Sequence, residues 1–184
     1  MEKECPEHGK FEEIYWSDAN LYRKFQKYPH EGNGVSTPLT SDDESCPLNC
    51  GLCPSHKTTT LLGNIDVTNR CNLNCPICFA NAKTRGFIYE PSFQQIEEML
   101  KHLREEKPTP CPAIQFSGGE PTVRDALPAM IQKAKELGFV QIQIATNGVR
   151  IAKDIEFARK LKNVGLHTIY LSFDGVKEET YQKI

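Results

Sequence analysis

Cys71-Asn-Leu-Asn-Cys75-Pro-Ile-Cys78 sets three thiols on one short stretch of chain in a C-x3-C-x2-C spacing. Each sulfur of such a triplet can take one iron of a cubane 4Fe–4S cluster. Three protein ligands for four irons leave one iron open to another molecule, which is useful for chemistry and wasteful in a staple. The competing reading is structural zinc, which more often uses paired C-x2-C knuckles and closes with a fourth ligand. Spacing alone favours iron–sulfur and leaves zinc open. A second triplet with the same spacing, Cys46-Pro-Leu-Asn-Cys50-Gly-Leu-Cys53, lies upstream. Its readings are an additional cluster or a metal staple for a poorly cored segment, with His56, Cys5 and Cys111 as candidates for a fourth ligand.

The setting supports metal over disulfides. Six of the eight cysteines fall between Cys46 and Cys78, and the N-terminus, Met1-Glu-Lys-Glu-Cys5, has no apolar signal region. A cytoplasmic, reducing location is therefore expected, where clustered thiols bind metal. The 184 residues are 39% apolar and 25% charged, with a formal net charge of −2. A core can form, while no apolar run approaches the ~20 residues needed to cross a bilayer. No Lys/Arg block stands out, so nucleic acid is not an expected partner.

Further chemistry-bearing residues sit at the ends of short apolar runs. Ile114–Phe116 leads into Ser117-Gly118-Gly119-Glu120-Pro121, Val140–Ala145 into Thr146-Asn147-Gly148, and Thr168–Phe173 contains Ser172 and leads into Asp174-Gly175. Gly118 and Gly119 permit close backbone approach and offer N–H and C=O groups. Glu120, Asn147, Ser172 and Asp174 can bind ammonium, carboxylate and hydroxyl groups. Singly, each of these motifs also reads as an ordinary turn.

The elements that must position them are strands and helices in alternation. Leu61–Val67 is the first strand, and the runs just named are the next three. Between them lie helical stripes: Phe93, Ile96, Met99, Leu100 and Leu103 behind a Ser92/Gln95 capping box; Leu127, Met130, Ile131, Ala134 and Leu137 stopping at Gly138; and Ile155, Ala158, Leu161 and Val164 stopping at Gly165. Glu178 and Glu179 open one more helix. The expected class is α/β with a parallel sheet, and ligands of such sheets bind at the carboxyl ends of the strands. Residues 1–60 read as a small irregular Cys-rich segment with one helix near Ser17 to Tyr28, capped by Ser17. Residues 61–184 read as the core. His8 reads as a turn residue and Trp16 as packing, while His30, His102 and His167 carry no assigned role.

From Leu61 onward the order of the Cys71/Cys75/Cys78 triplet, Gly-Gly-Glu-Pro, Thr-Asn-Gly and Ser-Phe-Asp-Gly resembles the radical S-adenosylmethionine (SAM) superfamily. The resemblance implies a partial parallel (β/α) barrel of six strand–helix units, of which about four strands are present and two are missing, as in a fragment or a shortened copy. It implies a catalytic 4Fe–4S cluster on Cys71, Cys75 and Cys78, with SAM chelating the open iron. Gly118, Gly119 and Glu120 would hold the methionine amino end, and Asn147, Ser172 and Asp174 the ribose and carboxylate. An external one-electron donor of ferredoxin or flavodoxin type would drive cleavage of SAM to a 5′-deoxyadenosyl radical for C–H activation. Ile77 stands where family members often carry an aromatic. The upstream triplet resembles that of a subgroup with auxiliary clusters, which includes archaeal tetraether lipid synthases and pterin methyltransferase-like proteins. That likeness implies a second 4Fe–4S cluster on Cys46, Cys50 and Cys53 and a lipid or pterin-like substrate. The alternatives are a non-catalytic two-cluster electron carrier, an inactive fragment, and a zinc-stapled binding module.

Overall fold

The structure, a computed structural model, describes residues 1–29, 32–41, 52–78, 80, 82 and 86–182. The chain forms two compact units, Met1–Gly32 and Asn33–Ile184.

In the first unit, β1 (Glu2–Cys5) and β2 (Gly9–Glu12) pair antiparallel with Cys5 opposite Gly9. Gly9 turns the chain at φ 79°. No periodicity announces this hairpin, because its strands are charged and bury no face that alternation could reveal. Helix α1 (Ala19–Phe25) is capped by Asp18, not by Ser17 as expected: the Asp18 carboxylate accepts from the Asn20 and Leu21 N–H groups at 2.9 and 3.0 Å. Trp16 packs against Tyr22 and Phe25.

In the second unit, β3 (Leu62–Thr68), β4 (Ala113–Gly118), β5 (Gln141–Thr146) and β6 (Thr168–Leu171) form a parallel sheet in sequential order. The connecting helices are α2 (Phe93–Glu105), α3 (Leu127–Glu136), α4 (Val149–Lys153) and α5 (Ile155–Val164), and α6 (Glu178–Tyr181) follows β6. The capping box of α2 forms as expected, with Ser92 Oγ accepting from Gln95 N–H and Gln95 Oε1 from Ser92 N–H. Gly165 ends α5 in the left-handed region at φ 115°.

Helices cover one face of the sheet. Val67, Ile114, Phe116, Ile142 and Ile144 are fully buried there against Leu100, Leu127, Met130, Ile131 and Leu161. Two stripes differ from the expectation: in α2 Phe93 and Met99 are exposed, leaving Ile96 and Leu100 buried, and in α5 Ile155 is exposed and Phe157 is buried. Gly148 (φ 76°) breaks the chain into the extra helix α4, and Asp154 caps α5 by accepting from Phe157 N–H. That entry turns Phe157 and Leu161 inward, with the Arg150 guanidinium 4.0 Å from the Phe157 ring.

The described residues of the second unit before β3 are tied in by backbone bonds. Gly34 N–H donates to Lys57 O and Leu39 N–H to Leu52 O, while Ser36 N–H donates to Lys107 O. Cys46 and Cys50 lie outside the described residues. Among the described residues no helix is long and apolar enough to cross a membrane.

Candidate metal centre

β3 runs directly into the downstream cysteine loop, and its last residues are clamped by the end of β4. Gly119 N–H donates to Thr68 O at 2.7 Å and Glu120 N–H to Arg70 O at 2.8 Å. A Cβ on Gly118 would lie 2.1 Å from Thr68 O, and one on Gly119 would lie 2.2 Å from Arg70 O. Two glycines are therefore required because two backbones cross here, and Gly118 also sits at φ 126°. The N–H groups of Gly119 and Glu120 serve this crossing.

Glu120 points inward. It is 1% exposed, and its carboxylate accepts four hydrogen bonds: from Thr122 N–H and Oγ1, from Thr146 Oγ1, and from Asn147 N–H. A buried carboxylate needs such donors in place of water. Their effect is to tie the end of β4, the 3-10 turn Pro121–Val123 and the end of β5 into one piece.

Asn147 continues that brace to the cysteine loop. Its Nδ2 donates to Asn72 Oδ1 at 2.7 Å and lies 3.9 Å from Cys71 Sγ, while its Oδ1 accepts from Val149 N–H. Ser172 N–H donates to Thr146 O at 2.9 Å, extending the pairing of β6 with β5 beyond Leu171.

The neck of the loop is latched from the other side by residues that carried no expectation. Asn69 exchanges three bonds with the returning chain, from Nδ2 to Phe87 O, from Tyr89 N–H to Oδ1, and from its own N–H to Tyr89 O. Glu90 Oε1 accepts from Arg70 Nε at 2.6 Å and Thr68 Oγ1 at 2.7 Å. Against the opposing cost of partial burial, these donors hold the Glu90 carboxyl below the usual carboxylate range. Arg124 donates to Val67 O and Pro91 O. The available signal was the polar run Thr68-Asn69-Arg70 immediately before Cys71, which reads as mere turn chemistry without the partners that fold back onto it.

Within the loop, Leu73 N–H donates to Cys71 Sγ at 3.4 Å and Cys78 N–H to Cys75 O at 3.2 Å. Cys71, Cys75 and Cys78 are free thiols of intermediate exposure. Partial burial, then the negative charges of Cys71, Cys78 and Asp174, push the Cys75 thiol up. A cationic centre would deprotonate such thiols on binding. Among the described residues no three His, Cys, Asp or Glu side chains gather around a single ion point. Three soft sulfurs on one loop fit the thiolate ligation of an iron–sulfur cluster. An opening lined by Asn69, Arg70, Cys71, Phe87 and Ile88 adjoins Cys71.

The other cysteines divide clearly. Cys111 is fully buried in the helix-covered core and donates to Ala113 O at 3.2 Å, and burial pushes its thiol up. It sits there as a small core side chain. Cys53 is half-buried, and the N–H of His56 donates to its carbonyl. Cys5 Sγ lies 3.2 Å from His8 Nδ1 within the hairpin, so His8 does more than turn the chain. His167, given no role from sequence, accepts from Ile142 N–H at 3.1 Å and pins the start of β5.

Residues 65–184 match the family model described as the radical SAM superfamily. The chain is 57% identical over 181 residues to a 7,8-dihydro-6-hydroxymethylpterin dimethyltransferase of Methanocaldococcus jannaschii, covering 98% of this chain and 35% of that protein. It is 42% identical over 113 residues to an Fe-coproporphyrin III synthase of Methanosarcina barkeri, covering 61% of this chain and 27% of that protein. A GTP 3′,8-cyclase of Clostridium acetobutylicum is 31% identical over 121 residues, covering 65% of this chain and 36% of that protein. The chain thus spans about a third of the length of these relatives. Among solved structures, methylornithine synthase superposes with a TM-score of 0.54 at 20% identity, covering 68% of this chain and 36% of that one, which shows a shared fold. With the cysteine loop at the carboxyl end of a parallel sheet and a family match running from Ile65 to Ile184, the chain belongs to the radical SAM superfamily.

Proposed function

We propose that the chain is the cluster- and SAM-binding part of an enzyme that cleaves SAM reductively and uses the resulting radical on an unactivated carbon. The observation that carries this reading is the placement of Cys71, Cys75 and Cys78 on one loop at the braced ends of three strands. Cys71, Cys75 and Cys78 would hold a 4Fe–4S cluster, which supplies one electron to the sulfonium bond of SAM when bound. Gly118, Gly119 and Glu120 form the platform for the methionine end. Glu120 acts there as a positioning residue, since its carboxylate is engaged with Thr122, Thr146 and Asn147. Asn147 orients the loop through Asn72, and Ser172 and Asp174 offer polar contacts at the end of β6.

Residues 61–184 constitute the radical SAM core in this reading, and residues 1–60 the auxiliary metal segment. Cys46, Cys50 and Cys53 hold a second 4Fe–4S cluster there. A ferredoxin- or flavodoxin-type donor reduces the protein in a cytoplasmic, oxygen-protected setting. The pterin named for the Methanocaldococcus relative supports a methyl transfer to a pterin-like carbon over the lipid alternative.

The test is anaerobic reconstitution with iron and sulfide, followed by an iron count and EPR of the reduced protein with and without SAM. About eight irons per chain, about four in a Cys71/Cys75/Cys78→Ala variant, and a SAM-shifted signal are expected. Iron without a SAM shift would favour the electron carrier, and zinc without iron would overturn the radical reading.

A further inference from the structure

Parallel sheets in α/β proteins usually have both faces covered, and their strands then read as nearly continuous apolar runs. This sheet alternates instead. Opposite the helix-covered face, the register aligns Asn64, Gln115, Gln143 and Thr168 in one row across all four strands. The row is hydrogen-bonded side chain to side chain. Gln143 Nε2 donates to Gln115 Oε1 at 2.6 Å, and Gln115 Nε2 donates to Asn64 Oδ1 at 3.0 Å. Gln141 Nε2 anchors Thr168 Oγ1 at the far end.

We propose that this carboxamide row is the floor of the substrate site and that it selects a flat, hydrogen-bonding heterocycle of pterin type over an alkyl chain. The inference rests on the reading of the chain as a radical SAM enzyme and goes beyond it by assigning residues and ligand chemistry. Each carboxamide has two N–H donors and an oxygen with two lone pairs. After the bonds within the row, every member keeps hydrogen-bonding capacity, and its orientation is already fixed by its neighbours. A planar carboxamide matches the alternating donors and acceptors on the edge of a heterocycle, as Asn and Gln do with adenine. An alkyl chain lying on the row would strip these groups of water and return no bonds, which costs about 1–3 kcal/mol for each group left unpaired. The row is also continuous with the candidate metal centre. Gln115 precedes Gly118 by three residues, about 10 Å of strand, with Ser117 between them and Asp66 paired beside it. A ring system on the row therefore lies below the loop that carries the cysteines.

The test uses fluorescence quenching of 6-hydroxymethylpterin, and of a fluorescent C16 fatty acid as the alkyl probe, on the protein with and without its reconstituted cluster. The variants are Gln143→Leu, Gln143→Glu and Gln115→Leu, each checked for fold by circular dichroism and for iron content and SAM-shifted EPR. Pterin affinity is expected to fall about 10- to 100-fold in the Gln143 and Gln115 variants, the loss expected for one or two unpaired groups. Iron content and the SAM shift should stay at the wild-type level. The Gln143→Glu variant keeps the size of the side chain, so its loss reports the missing N–H donors and the added charge, not the packing. Equal pterin affinity in wild type and all variants, no pterin binding by a wild-type protein that shifts with SAM, or tighter binding of the fatty acid would each overturn the inference and identify a merely solvated face. Absence of iron and of a SAM shift in the wild type would overturn the radical reading, while the binding comparison on cluster-free protein still decides the row.

Discussion

The two faces of one sheet follow different rules. On the helix-covered face, Ile114, Phe116, Ile142 and Ile144 are fully buried. One residue away along the same strands, Gln115 and Gln143 stay half-exposed and bond to each other. The rim joins the two faces through a buried polar brace, Glu120, whose four bonds fix the strand ends. Stability and site are therefore separated by the two-residue repeat of a strand and meet only where the strands end.

Substituting neighbours on β5 is the sharpest way to break this contrast. Ile144→Ala should lower stability by about 2–5 kcal/mol through a cavity among helix-packed side chains, whereas Gln143→Ala should change it by about 0.5 kcal/mol or less. Urea melts of both variants would check this, and a comparable loss for Gln143→Ala would mean that the open face also carries the fold.

Between those extremes lies the rim. Glu120→Gln leaves one acceptor oxygen and turns an NH2 group on the Asn147 or the Thr donors, so a loss of about 2–3 kcal/mol is expected. Faster release of iron from the reconstituted protein should accompany it, because the brace leads through Asn147 to Asn72 and Cys71. Stability lost without any change in iron retention would confine Glu120 to the fold.

A smaller effect of opposite sign is expected at Glu106. It is 4% exposed, Oε2 has no partner, and Oε1 accepts from Thr60 Oγ1. Burial raises its carboxyl above the usual range. Its folded form therefore favours the proton, and the stability this gives is present at acid pH and lost as pH rises through the folded value. Glu106→Gln removes that loss, so it should raise the melting temperature at pH 7 by about 2–4 °C, the shift that ~1 kcal/mol makes in a chain of this size. The gap between variant and wild type should close as pH falls toward the ordinary carboxylate range. A gap that widens in acid would contradict the assignment.

Much of the fold was legible in the residues. The four strands and three long helices fall close to their expected positions, because capping at Ser92, stops at Gly138 and Gly165, and β-branched runs are local signals. The misreadings had local causes as well. Asp18 displaced Ser17 as a cap, Gly148 started a helix where a loop was expected, and the β1–β2 hairpin had no buried face to announce it. The candidate site was legible as a set of cysteines and strand ends, but its internal connections were not.

The sequence by itself determined the chemistry on offer: three thiols in C-x3-C-x2-C, two adjacent glycines and the polar strand ends, because residue type and spacing are local properties. Only the tertiary structure decided what those residues do to one another. It turned Glu120 inward, set Gly118 and Gly119 against Thr68 and Arg70, latched Asn69 and Glu90 across the neck of the cysteine loop, and lined up Asn64, Gln115 and Gln143 in one row. Each of these depends on register between strands far apart in sequence, which is fixed by burying the apolar face and is written in no single segment of the chain.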